Sequence, residues 1–141
     1  MKTHLAMFAA ACVALVPANI AAAKTTRLQT VNITDRHMSL EGGEARLYRI
    51  NDARRNYCRI ELIHLGETGR WIYVFDFGPK LFAAERMAYS YNAYFTDPVR
   101  NETVTERTTL QSTEGRAKLS KDFEEAKTFF DPLRLAKCSR R

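Results

Sequence analysis

The strongest sequence pattern is RWIYVFDFGPKLFAAERMAYSYN, residues 70–92, in which aromatic and aliphatic side chains flank one Gly-Pro pair. Its first part, residues 70–77, is rich in β-branched and aromatic residues, and this composition favours a β-strand. Glycine accepts unusual torsions, and proline lacks the amide that a central strand must donate. The pair at 78–79 therefore predicts a chain reversal between two strands.

The segment after this reversal permits two interpretations. Helix formers and a proline suited to a first helical turn favour a short helix within residues 79–88. Alternation of apolar and polar residues from Met87 onward favours a strand instead. We predict a long strand over residues 81–96, with a bulge near Ala83 and Ala84.

Weaker signals on both sides of this hairpin predict further strands. The clearest is residues 57–65, where alternation places every second side chain on one face. That face carries Cys58, Ile60, Leu62 and His64. The remaining predicted strands are residues 27–34, residues 45–50 and a polar, Thr-rich edge strand over residues 102–112.

The pattern changes to a helical period near the C-terminus. Ser120 is a suitable N-cap, and Phe123 and Ala126 recur at helical spacing behind it. Pro132 should stop this helix, so we predict it over residues 120–131. The predicted fold class is α+β: an antiparallel β-meander of about five to seven strands, open or curled into a half-barrel, with one C-terminal helix packed on it.

The order GGEARLYRI, RIELIHLGETGRWIYVFDFGPKLFAAE resembles small secreted bacterial proteins built as an antiparallel meander followed by a helix. The likeness covers Gly43 to about Tyr91 and rests on an aromatic-Phe-Asp-turn-Leu-Phe hairpin. Those proteins have no assigned activity. The resemblance therefore implies a fold and no functional residue.

The N-terminus has the features of a secretory leader. A positively charged start precedes an Ala-rich apolar run, and small residues follow. The apolar run spans residues 5–16, twelve residues, whereas a membrane-spanning helix needs roughly 20. We expect a signal peptide over residues 1–23, cleaved after Ala23, a periplasmic or secreted location, and a single β-rich domain over residues 24–141. Lipid attachment at Cys12 is the minor alternative.

Removal of this leader leaves two cysteines, Cys58 and Cys138. In an oxidising compartment they should pair, because neither lies in a Cys-x-x-Cys motif or in a Cys/His cluster at metal-ligand spacing. We therefore predict a structural disulfide that ties the C-terminal segment to the strand at 57–65.

The formal net charge is +6. The leader contributes one lysine, so the mature chain carries +5. A net positive charge of this size is compatible with an anionic envelope polymer or lipid headgroup as a partner, and also with an ordinary solvated surface.

Catalytic motifs are missing from the sequence. His37 and His64, the two histidines of the mature chain, belong to no recognisable motif, and no nucleophile elbow, zinc-ligand pattern or phosphate loop occurs. Asp76 is best explained as a cap of the turn after residue 77. We expect no catalysis, no cofactor and no metal, with a weak hydrolase as an alternative.

A binding module is the remaining function class, and its most suitable anchors are tyrosine, tryptophan and arginine. We expect a protein partner in the envelope or outside the cell, bound in the manner of an inhibitor or immunity protein. Arg54 and Arg55, on an exposed turn, are further candidates for contact with an acidic partner. The predicted binding residues are Tyr89, Tyr91, Tyr94, Arg86 and Trp71.

Overall fold

The computed structural model describes residues 22–34, 41–92 and 101–139. The predicted leader lies outside these ranges except for its last two residues, and His37 and Tyr94 lie outside them as well. The described elements are β1 (Lys24–Asn32), β2 (Gly43–Asn51), β3 (Asn56–Gly66), β4 (Gly69–Phe77), β5 (Leu81–Tyr91), β6 (Glu102–Thr109), α1 (Thr113–Lys127) and α2 (Pro132–Ser139).

The six described strands form one antiparallel sheet in which each strand pairs with the next one along the chain. The sheet runs from β1 to β6 and is not closed. Both helices follow the last strand. The structure therefore confirms the predicted α+β meander with a C-terminal helix.

The two strands predicted over residues 70–92 are neighbours in the sheet, where β4 lies between β3 and β5 and β5 lies between β4 and β6. β4 and β5 pair over their whole length, so the strand interpretation of residues 81–88 is confirmed. Asp76 pairs with Ala83, whereas Phe77 pairs with Leu81, which leaves Phe82 as the extra residue of a bulge. This bulge lies one position before the predicted one. The residues predicted to continue the strand beyond Asn92 lie outside the described ranges.

The alternation of β3 decides which side of the sheet faces the core. Cys58, Ile60, Leu62 and His64 are all buried, while the residues between them are half-buried or exposed. We call the side of the sheet that carries this row the covered face. On β4 the same face carries Phe75 and Phe77, both buried.

Helix α1 covers this face with its own apolar side. The Phe123 ring lies 5.7 Å from the Phe75 ring and 5.1 Å from the Phe77 ring, measured between centroids. Leu119 and Ala126 of the same helix are fully buried. Burial of the apolar stripe is thus confirmed at Phe123 and Ala126, whereas Leu133, which continues the same spacing, is 77% exposed.

The predicted start of the helix is wrong. α1 begins at Thr113, and its N-cap is Ser112, whose Oγ accepts a hydrogen bond of 3.0 Å from the Gly115 amide. Ser120 is an exposed residue inside the helix. Gly115 is needed where the helix starts, because a Cβ there would lie 2.3 Å from the carbonyl oxygen of Thr109. β6 accordingly ends at Thr109 and not at Ser112.

The predicted end of the helix is also wrong. α1 ends at Lys127, and Pro132 begins a second helix, α2. Proline suits the first position of a helix because its missing amide would have no intrahelical partner there. Asp131 caps this helix, since its Oδ1 accepts a 2.7 Å hydrogen bond from the Leu133 amide.

The disulfide connects α2 to the centre of the sheet. Cys138 is bonded to Cys58 of β3 with the two Cα atoms 5.5 Å apart, and both residues are buried. The predicted pairing is therefore confirmed. Within the described residues, neither helix has the length and apolar character needed to cross a bilayer.

Candidate functional site: the open face of the sheet

The side of the sheet opposite the covered face carries the candidate functional site. Its residues alternate with the buried rows, so on β3 they are the odd-numbered residues from Tyr57 to Leu65. α1 and α2 pack against the other side, where Phe123 and Cys138 contact β4 and β3. We call this surface the open face.

Apolar side chains occupy the middle of the open face. Ile63 of β3 pairs with Ile72 of β4, which pairs with Met87 of β5, so the three form a row across the strands. Tyr89 and Val104 pair in the adjacent row. Leu65 is 43% exposed and Val104 is 50% exposed. We call this group the apolar centre: Ile63, Leu65, Ile72, Met87, Tyr89 and Val104.

Arginine–carboxylate pairs lie beside the apolar centre, and one of these arginines, Arg70, lies between Leu65 and Tyr89. The best formed joins Arg59 of β3 to Asp76 of β4, where Nε and Nη2 donate to the two carboxylate oxygens at 2.7 and 2.8 Å. This bidentate hydrogen bonding raises the pKa of Arg59 above its usual value. Three further pairs on this face are Arg46–Glu44, Arg70–Glu102 and Arg107–Glu85.

Asp76 therefore has a different role from the predicted turn cap. Both of its oxygens accept hydrogen bonds from the neighbouring strand, and its side chain is only 14% exposed. A cross-strand pair of this kind depends on the register between β3 and β4, which local sequence does not specify.

Two of the predicted binding residues lie on the open face. The Arg70 guanidinium stacks on the Tyr89 ring, 4.9 Å from its centroid, and the Tyr89 hydroxyl lies 3.4 Å from Sδ of Met87. Tyr91 follows two positions later on the same strand and is half-buried. Both tyrosines are held within the sheet rather than on a loop.

Two others lie on the covered face. Arg86 pairs with Tyr73 across the strands and forms an ion pair with Glu106. Trp71 belongs to the same face of β4 as Phe75, beyond the part that α1 covers, and is 39% exposed. The structure therefore divides the predicted set between two faces, and Tyr94 is outside the described residues.

The exposed turn at residues 52–55 brings an arginine against two aromatic rings. The guanidinium of Arg55 lies 3.8 Å from the centroid of the Phe82 ring and 5.3 Å from that of Tyr57. Phe82 is the bulge residue and is 37% exposed. Arg54, the preceding residue of the turn, is exposed, and its amide donates to Oδ1 of Asp52.

The histidine in β3 lies on the covered face, as its alternation predicted. His64 is 7% exposed, and its ring meets that of Tyr73 edge-on with centroids 5.7 Å apart. Burial raises the pKa of Tyr73. Within the described ranges, no three His, Cys, Asp or Glu side chains form a group able to hold a metal ion.

Sequence reasoning missed the aliphatic members of the apolar centre. Alternation alone places Ile63 and Ile72 opposite the buried rows, but it does not identify them as neighbours. The available signal was that both strands of the hairpin at 57–77 are apolar on both faces, whereas a strand with one solvated face normally alternates with polar residues.

Comparison with known proteins gives no relative of this chain. No protein-family model matches it, and no curated protein and no solved structure matches it significantly.

Proposed function

We propose that this chain is an exported, non-catalytic binding module that recognises another protein through the open face of its sheet. The mode of action is that of an inhibitor or immunity protein, which acts by occupying a surface of its partner. The observation that carries the proposal is an accessible apolar centre on a sheet face that also carries four arginine–carboxylate pairs.

The composition of the open face supports a protein partner. Specific protein interfaces combine an apolar middle with a polar rim, and they are enriched in tyrosine, methionine and arginine. The apolar centre supplies Met87 and Tyr89, Arg70 lies between Leu65 and Tyr89, and Arg59 lies on the same face of β3, four positions from Ile63. Pairing with Asp76 and Glu102 fixes both guanidiniums in position before binding, which lowers the conformational entropy lost on association.

The distribution of charge favours a protein over a polyanion. Four arginines of the open face each have a carboxylate partner within the face, so their charges are largely matched where they lie. A polyanion site would need cations that are available to phosphate or sulfate groups. Binding of a polyanion would also weaken steeply with salt, whereas an interface centred on apolar side chains changes less.

The disulfide supports export. Disulfides persist in oxidising compartments and are rare in the cytosol. The Cys58–Cys138 bond is buried and joins elements 80 positions apart in the chain, as expected of a structural bond. Together with the leader predicted at residues 1–23, this bond supports a periplasmic or secreted location.

Site-specific photo-crosslinking in the producing cells tests the proposal. A photoreactive residue replaces Ile72 at the middle of the open face, or Leu133 on α2 as a matched control. Leu133 is the suitable control because it is an exposed leucine, 77% accessible, on the helical side of the molecule. We expect a discrete protein adduct from position 72 and none from position 133.

Capture with purified oxidised protein supplies the second arm. Met87→Glu places a charge in the apolar centre and should abolish recovery of the partner, whereas Leu133→Glu should leave recovery unchanged. Thermal unfolding checks that both variants are folded. A partner that crosslinks from position 133, or that Met87→Glu still captures fully, would show that the open face is not the binding surface.

A further inference from the structure

The turn between β2 and β3, residues 52–55, is held by two hydrogen bonds of Asp52. The Asp52 amide donates to the carbonyl oxygen of Arg55 at 3.1 Å, and Oδ1 of Asp52 accepts a bond of 3.1 Å from the Arg54 amide. Both arginines of the turn are exposed. The turn therefore fixes the backbone of two exposed arginines where β3 begins.

Two aromatic rings position the Arg55 side chain. Its Cζ lies 3.8 Å from the centroid of the Phe82 ring, a distance of van der Waals contact. The Tyr57 ring meets the Phe82 ring edge-on, with centroids 5.5 Å apart, and its own centroid lies 5.3 Å from the same Cζ. Phe82 is the extra residue of the bulge, and bulges commonly redirect a side chain. Attraction between a cation and an aromatic face holds the guanidinium against this pair of rings.

The hydrogen-bond donors of Arg55 have no acceptor on the described protein. A guanidinium has five N–H donors in its own plane, and an aromatic ring against its flat side does not use them. Within the described ranges, no ion pair involves the side chain of Arg54 or Arg55, whereas Arg59, Arg70 and Arg107 each have a carboxylate partner. Arg55 is thus oriented by the rings and still able to bind an anion.

This corner of the sheet is continuous with the open face. Phe82 lines a cavity of about 280 Å³ together with Arg59 and Asp76. Tyr57 belongs to the open-face row of β3, and six positions separate it from Ile63 of the apolar centre, about 20 Å at roughly 3.3 Å per residue. An interface of standard size covers roughly 800 Å² on each partner, enough to span this distance.

The charge of the turn suits a carboxylate. Residues 52–55 contain one aspartate and two arginines, so the turn carries a net charge of +1. A carboxylate carries one negative charge, and its two oxygens match paired N–H groups of a guanidinium. A phosphomonoester carries nearly two negative charges and would require more cations.

We propose that Arg55, held against Phe82 and Tyr57, binds the side-chain carboxylate of an aspartate or glutamate on the protein that covers the open face. The partner then combines an apolar patch for the apolar centre with an acidic residue about 20 Å away. This inference rests on the proposed function, because it names the chemistry of the same partner.

A titration of the oxidised protein followed by NMR tests the site without the partner. The probes are acetyl-Leu-Glu-Leu-amide, the same peptide with glutamine in place of glutamate, and inorganic phosphate. We expect the glutamate peptide to shift the Nε–H resonance of Arg55 and the ring resonances of Phe82 and Tyr57, and the glutamine peptide to leave them in place. Equal shifts with both peptides, or none with either, would overturn the proposal. Tighter binding of phosphate than of the glutamate peptide would overturn the assignment to a carboxylate.

Removal of one charge localises the interaction. Arg55→Ala should weaken binding of the glutamate peptide by about fivefold, the upper end for an exposed ion pair. Arg134→Ala is the matched control, because it removes the same charge from an exposed position of α2 on the helical side of the molecule. Equal weakening by both variants would show an unspecific charge effect and contradict the site.

Phe82→Leu tests the contribution of the aromatic ring. The substitution keeps an apolar side chain but removes the ring that contacts the guanidinium, so the glutamate peptide should bind about twofold more weakly. Thermal unfolding checks that each variant is folded. Wild-type affinity in a folded Phe82→Leu variant would contradict the role of this ring in positioning Arg55.

Failure of this inference and failure of the proposed function give different results. If the glutamate peptide does not bind while Met87→Glu abolishes capture of the partner, the open face is the binding surface and the carboxylate site is wrong. If the peptide binds at Arg55 while Met87→Glu leaves capture unchanged, the carboxylate site exists and the open face is not the binding surface.

Discussion

The two faces of the sheet come from the same strands and differ in what lies against them. On β3, Ile60 is fully buried on the covered face, while Ile63 is half-buried on the open face. On β4, Phe75 is buried under α1, while Ile72 and Val74 lie on the other side. Both faces carry large apolar side chains, but the helices cover only one of them.

This difference shows that apolar composition in a strand does not identify a core residue. Folding buried the row that could contact Phe123 and the Cys138 disulfide, and it left the other row accessible. An accessible apolar row framed by ion pairs is a surface suited to association. Four experiments test this contrast between the two faces.

Loss of the disulfide should destabilise the covered face most. Replacing both Cys58 and Cys138 by alanine releases a loop of 80 positions, and the chain-entropy account predicts a loss of about 4 kcal/mol in the free energy of unfolding. Denaturant unfolding measures this loss. Hydrogen exchange should show α2 opening first, and an unchanged exchange rate in α2 would argue that the bond does not hold this helix in place.

Truncation of one isoleucine on each face of β3 compares the two faces directly. Ile60→Ala should cost about 3 kcal/mol because it leaves a cavity in a fully buried site. Ile63→Ala should cost about 1 kcal/mol, since neighbouring side chains and solvent already surround it. Equal losses in the free energy of unfolding would mean that another part of the protein covers the open face even when no partner is bound.

A double-mutant cycle on Arg59 and Asp76 tests how rigid the open face is. We expect a coupling energy of about 1 kcal/mol, the upper end for accessible pairs, because the hydrogen bonding is bidentate and the carboxylate is mostly shielded. The pair Arg107–Glu85 is the control. Its arginine side chain is 67% exposed, and its coupling should be about 0.3 kcal/mol. A reversed order would contradict a preorganised rim.

Asp122→Asn should have the smallest effect, and its sign is diagnostic. Folding raises the pKa of the Asp122 carboxyl, so the folded protein accommodates the protonated form better than the ionised form. The free energy of unfolding is therefore highest at acidic pH, and it falls as the pH rises through the pKa of the folded protein. The variant should therefore be more stable than wild type near neutral pH, and the difference should vanish at low pH.

Thermal unfolding of wild type and Asp122→Asn, followed from acidic to neutral pH, measures the difference in stability. The difference between the two proteins reports the titration of Asp122 alone. The other titratable and charged groups near it, His64 of β3, Arg86 of β5 and the charged neighbours on α1, are present in both. A wild type more stable than the variant at neutral pH would mean that the carboxylate is well compensated.

Local sequence was sufficient for most of the strands. Alternation in β3 predicted which residues are buried, and the composition of residues 70–77 and the Gly-Pro pair predicted the central hairpin. The helix boundaries could not be predicted in the same way. Gly115 usually weakens a helix, yet here it permits the close approach of α1 to the Thr109 carbonyl, a contact between separate elements.

The predicted binding residues illustrate the same limit. Tyr89 and Tyr91 are two positions apart in one strand, so their common face was readable from the sequence. Arg86 is an odd number of positions from Tyr89, and the same rule places it on the opposite face. Trp71 required the register of β4 against β5, which the bulge at Phe82 fixes.

The amino-acid sequence was enough to predict the antiparallel meander, the alternation of its faces and the two cysteines that pair. These follow from torsional preferences, side-chain period and the small number of thiols, all of which are properties of short segments or of composition. It was not enough to predict which apolar row the helices cover or how far Asp122 is shielded from solvent. Those outcomes depend on strand register and on the position of α1, because burial is set by contacts between residues far apart in the chain.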